Sequence, residues 1–153
     1  MTTPSIVPAE YAGDNQDFAK TKGVDRSGAA RIVQGTVTVP DGTAADAFVG
    51  LVPFNKGARF AIRGKDVYCG DFGAGTTTVN LGIIYDDDST FTNDPDAFAS
   101  LSTAAQDGGF IAVDEKEGLT LVTEGDGWLA VQLKTAAADA EAAIDFSILQ
   151  SYG

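Results

Sequence analysis

Asp86, Asp87 and Asp88 stand in a row, and Asp94 and Asp96 follow shortly after. Carboxylates at that density are the ligands that a calcium ion takes. The EF-hand arrangement is excluded, because neither its central glycine nor its terminal glutamate stands at the required offset. In an extended chain Asp86 and Asp88 point one way and Asp87 the other, so the three converge on one ion only where the backbone turns. The run is read as the solvated end of a strand, with no metal expected. A second chemical candidate is Asp71-Phe72-Gly73, the tripeptide with which protein kinases hold magnesium. That chemistry also needs a glycine-rich phosphate loop, a strand lysine and a catalytic loop containing histidine, and the chain has none of them. The tripeptide is predicted to be a turn between strands, anchored in the core by Phe72.

The 153 residues include no histidine and one cysteine, Cys69. This removes the Ser-His-Asp triad, the Cys-His nucleophile and the imidazole general base, together with any thiolate zinc site. A glycosidase working through two carboxylates across a cleft is compatible with the composition, but no pair of positions points to one. No catalytic residue and no cofactor is predicted. Cys69 lies in an apolar run and is read as a buried filler.

The elements that would position any such residue follow from length, charge and periodicity. A chain of this size forms one domain and buries roughly 70% of its unfolded surface, without need of a disulfide. The net charge of -12 is unevenly spread: residues 1–65 hold eight of the ten basic residues against six acidic ones, and residues 66–153 hold two against 16. Such a surface repels a phosphate backbone, so nucleic acid is not an expected partner. The opening MTTPSIVPAEYAGDNQDF has neither the basic start nor the apolar run of a signal peptide, and no stretch nears the ~20 apolar residues of a membrane span. The expectation is a soluble protein made in the cytoplasm, with no membrane partner. Residues 1–30 read as an extended arm, too polar to offset its own chain entropy. It is expected to be held by a groove on its own domain or by a neighbouring chain.

Residues 31–153 read as a β domain. In RIVQGTVTV, Val33, Gly35, Val37 and Val39 share one face, with Gln34, Thr36 and Thr38 on the other. TTTVNLGIIY, WLAVQLK and AIDFSIL alternate in the same way. Shorter candidates are Phe48–Pro53, Ala58–Ile62, Val67–Cys69, Phe110–Val113 and Leu119–Val122, separated by turn sequences such as PDGT, NKGA and EGDG. Eight or nine short strands without a long amphipathic helix predict an all-β antiparallel sandwich of jelly-roll type. One short helix is predicted in NDPDAFASLSTAAQ, with Asp94 as its cap and Pro95 in its first position. TAAADAEAA, helical by propensity, is read as a loop because strong strand patterns bound it. Arg59, Arg63 and Lys65 share one parity opposite Phe60 and Ile62, so a strand here would carry them as a basic stripe, extended by Lys56 in the preceding turn. These four are the predicted partner-binding residues, suited to carboxylates.

The stretch from Arg31 to Ile83 also resembles a pattern of small structural proteins on tailed-bacteriophage heads, the capsid decoration or cement proteins. The residues that carry the resemblance are Leu51, Pro53, Lys56, Gly57, Ala58 and Arg59, then Phe72, Gly73, Ala74, Thr77, Thr78, Val79, Leu81 and Gly82. An Asp-rich loop and a short Ala-Ser segment follow, and the whole covers about half of the chain. The resemblance implies a β-sandwich virion protein that binds the outside of an assembled shell and stabilises it. Its implied partners are the major capsid protein and further copies of itself, as a dimer or trimer. It implies no catalytic residue. A different class with the same architecture is a carbohydrate-binding module, which would display aromatic side chains. Trp128, Tyr68, Tyr85 and Tyr152 are the candidates, although Trp128 and Tyr85 lie in or beside strand periods, where burial is expected.

Overall fold

In β1 (Ala30–Val39) the alternation read from the sequence decides what is buried: Val33, Val37 and Val39 face inward, while Gln34, Thr36 and Thr38 face water. A strand with one apolar face needs a second layer opposite it. In the computed structural model, which describes residues 4–8, 30–73 and 75–152, two antiparallel sheets provide that layer for each other. One sheet runs β1, β9 (Ala142–Tyr152), β4 (Val67–Cys69) and β7 (Gly109–Phe110), with the short β3 (Ala58–Ala61) beside β9 beyond the end of β4. The other runs β2 (Phe48–Phe54), β8 (Gly127–Lys134), β5 (Thr78–Tyr85) and β6 (Asp94–Ser102).

The pairs β1 with β9, β2 with β8, β4 with β7 and β5 with β6 are nested in the sequence, and all are antiparallel. One long hairpin paired in this way and wrapped around a core is the jelly roll, so the predicted architecture is the observed one. The core between the sheets is apolar, with Leu51, Phe54, Leu81, Ile83, Leu129, Leu133 and Ile144 fully buried. At its centre Phe54 meets Phe60 and Tyr85 edge-on, at centroid distances of 5.9 and 5.8 Å. Cys69 is buried among these residues, and that burial pushes its thiol up to about 12.

Three local readings are corrected. Asp94–Ser102 is strand β6 and not a helix; α1 is confined to Ala104–Asp107, behind Thr103. Pairing with β5 overrides the helical signal here. Pro95 is tolerated because β6 is an edge strand whose register against β5 shifts twice. The stretch predicted as strand from Leu119 begins instead in a 3-10 turn, Lys116–Leu119, and of the candidate Phe110–Val113 only Phe110 lies in a strand, β7. In TAAADAEAA residues 135–141 are a loop, as read, and its last two alanines begin β9.

β5 and β8 are buried on both faces, which their alternation does not announce. Behind the main core, Ile84, Trp128 and Ala130 form a second cluster with Val7 and Phe48 packed against it. The arm supplies part of that cover. Ser5 donates its N–H to the Phe48 carbonyl (3.1 Å), the Gly50 N–H reaches the Ile6 carbonyl (2.7 Å), and Ile6 pairs in parallel with Val49. Residues 4–8 thus lie along the outer edge of β2 on their own domain. Most of the predicted arm falls on residues 1–3 and 9–29, outside the described residues.

Candidate functional site

The turn at Asp71-Phe72-Gly73 behaves as predicted. Asp71 Oδ1 accepts the Gly73 N–H at 2.7 Å, Gly73 takes a φ of 81°, and Phe72 is fully buried. Its backbone ties two distant segments, with the Phe72 N–H on the Ala105 carbonyl and its C=O receiving the Asp139 N–H. The carboxylate is spent on a local turn, an Asx arrangement in which a side chain replaces a backbone acceptor.

The aspartate run ends β5 and turns. Asp87 Oδ1 accepts the Ser89 hydroxyl at 2.6 Å and the Thr90 N–H at 3.2 Å, and these bonds hold its carboxyl below the usual carboxylate range. Among the described residues no three potential ligands gather closely enough to hold a metal ion. EDTA is therefore expected to leave the melting temperature unchanged to within about 1 °C. A fall of many degrees that calcium restores would show a site that these carboxylates do not reveal. Asp94 and Asp96 share a hydrogen bond on β6; partial burial, and then Asp96, push the Asp94 carboxyl up. Two carboxyls in direct contact leave no gap for a sugar, whereas glycosidases hold theirs about 5 Å or more apart.

Of the aromatic candidates, Trp128, Tyr85 and Tyr152 are buried. Tyr68 is exposed and stacks edge-on with exposed Phe110 at 5.2 Å.

The four basic residues separate. β3 ends at Ala61, and the chain then turns, with Asp66 Oδ2 accepting the Arg63 N–H at 2.8 Å and lying 3.5 Å from its Nε. Lys65 is exposed in that turn. The parity argument therefore holds for Arg59 and fails beyond Ala61. Lys56, at the other end of β3, lines a hollow of about 420 Å³ with Asp86, Asp87, Glu124 and Asp126, an acidic setting unlike that of the arginines. Arg59 and Arg63 do come together, on the rim of a groove of about 390 Å³ beside β3, walled by Phe98, Val113, Gly118 and Leu119. On the outer sheet face next to it, Ile32, Ala61 and Leu149 form an apolar strip across β1, β9 and β3.

What holds β3 in place could not be read from its own residues. Thr123 donates its hydroxyl to the Asn55 carbonyl and accepts the Ala58 N–H, both at 2.8 Å, while its backbone exchanges further bonds with Gly57 and Ala58. Tyr152 OH accepts the Asn55 N–H at 2.9 Å, and Gln150 Nε2 donates to the Pro53 carbonyl at 3.2 Å. The turn that leads into the basic segment is thus pinned from β9 and from the loop at Thr123. No spacing in the sequence links these positions.

This nested sandwich has counterparts among solved structures. A chain in the capsid of Ralstonia phage GP4 superposes with a TM-score of 0.57 at 19% identity, over 84% of this chain and 89% of that one. A chain of the cyanophage Pam1 capsid asymmetric unit gives 0.54 at 17% identity, over 83% and 87%. The fold is shared with chains of two phage capsids. At these identities the likeness is one of architecture. No protein-family model and no curated protein matches the chain.

Proposed function

We propose that the chain is a non-enzymatic virion structural protein that binds the outside of a bacteriophage capsid shell and stabilises it, as a decoration or cement subunit. The observation that carries this reading is the jelly roll itself, shared along most of its length with chains from two phage capsids. Two features support it. Asp71 and Asp87 are engaged in turns, and Asp94 and Asp96 contact each other. The surface beside β3 combines apolar residues with two arginines in a molecule of net charge -12. Its partners in this reading are the major capsid protein and other copies of itself, and its place is the capsid surface.

The test is cosedimentation with undecorated shells. Arg59→Glu with Arg63→Glu is expected to fold as the wild type does, because the ion pair it loses among the described residues, Arg63 with Asp66, is made by an arginine that is 85% exposed, and pairs at that exposure are worth about 0.2–1 kcal/mol. Its occupancy on shells should fall, with the gap to wild type widest at low salt, where charges are least screened. Wild-type occupancy across the salt range would remove these arginines from the docking face. The exposed pair of Tyr68 and Phe110 favours a second reading, a carbohydrate-binding module. Binding on a glycan array that Tyr68→Ala abolishes, without attachment to shells, would establish that reading instead.

A further inference from the structure

The two sheets finish their edges differently. Along β2, residues 4–8 add themselves as a short parallel segment. On the far side of β3, Ala58 is closed off by Thr123, which receives the Ala58 N–H and donates to its C=O. Backbone groups along an antiparallel strand alternate in direction, so Phe60 turns its N–H and C=O the same way as Ala58, away from β9. Among the described residues no backbone partner faces them. They open onto the groove of about 390 Å³, where Leu119 is 83% exposed and Val113 and Phe98 lie behind it. Arg59 on the rim makes no ion pair or side-chain hydrogen bond among the described residues.

An unpaired strand edge beside an apolar trough is the arrangement that accepts an added strand, with main-chain bonds giving affinity and alternate side chains giving selectivity. We infer that the groove beside β3 receives an extended segment of the shell protein. The segment pairs with the backbone of Phe60, lays an apolar side chain against Leu119 and Val113, and presents a carboxylate to Arg59. The charge follows from complementarity, since a guanidinium that no described residue pairs, on the rim of an otherwise acidic molecule, selects an acidic strand and rejects a basic one. The inference rests on the reading of the chain as a shell-binding subunit.

The experiment uses the full chain and undecorated shells. Amide exchange is followed over residues 58–63 in free and shell-bound protein, beside cosedimentation of Leu119→Asp. Leu119 is so exposed that the variant is expected to melt as the wild type does. Attachment should slow exchange at Phe60, and Leu119→Asp should weaken attachment about tenfold or more. Shell binding with unchanged exchange at Phe60 and full occupancy of Leu119→Asp overturns the groove and leaves shell attachment standing. Failure of the wild type to bind shells overturns both. An oligomer of the free wild type that Leu119→Asp dissociates assigns the groove to a second copy of the chain and overturns the shell segment.

Discussion

Trp128→Ala is expected to lower the unfolding free energy by about 3–5 kcal/mol, the cost of emptying a large aromatic site. For a chain of this length the melting temperature should fall by about 10 °C. The ring is fully buried, yet it lies outside the main core, on the outer side of β8 against Ile84 and Ala130. It presses on the backbone of β2 so closely that a Cβ at Gly50 would stand 2.8 Å from it, and Pro4 closes the same spot from above. Loss of the ring therefore removes the support of Val7 and Pro4 as well. Exchange of the Gly50 amide, bonded to the Ile6 carbonyl, should rise more than that of the β1 and β9 amides. Urea denaturation and amide exchange measure the two effects. A loss below about 1 kcal/mol would mean that the second cluster contributes little.

Gly82→Ala is expected to cost about 3 kcal/mol, a large effect for one methyl group. A Cβ there would collide with the carbonyl groups of Asp94 and Pro95, where β6 crosses closely over β5. Backbone cannot swing aside as a side chain can, so β6 must lift from the sheet and take Phe98 out of the core with it. Gly64→Ala is the control, since nothing lies within 4 Å of its Cβ position. It should change stability by no more than about 0.5 kcal/mol. Equal effects of the two substitutions would refute the close crossing.

The strands that alternate cleanly were legible because a sheet with one wet face imposes its period on the residues that form it, as in β1 and β9. β6 was not, because Asp94-Pro95 imitates a helix start and only the pairing with β5, with its shifts of register, makes the segment a strand. Gly82 carries no local mark of its role, since the need for a bare backbone comes from a segment twelve residues away in sequence. The arm was read as too polar to hold itself, yet Ile6 and Val7 stand together in SIVP, where Ile6 pairs with Val49 and Val7 packs on the cluster of Trp128. For the candidate site, parity placed Arg59 on the outside of β3 and misjudged Arg63 and Lys65, because Asp66 turns the chain just past Ala61. The groove is assembled from β3, β6 and the 3-10 turn, so no single stretch of sequence could reveal it. Thr123, which fastens β3, looks like any loop threonine until its partners are seen.

The nesting of the strand pairs also decides when this protein can begin to exist as a folded object. β1 meets β9 along its whole length, from Ala30 opposite Ser151 to Val39 opposite Ala142. During synthesis β1 therefore waits until residues 142–151 have left the ribosome, and β3 and β4 wait for the same strand. Pairings this distant in sequence are slow to form, in the range of milliseconds to seconds for β sandwiches of comparable topology. Until then the nascent chain presents several unpaired apolar strands at once, the state most open to aggregation. A ribosome that stops short of Ala142 leaves β1, β3 and β4 without their common neighbour, although every strand of the other sheet has already been made.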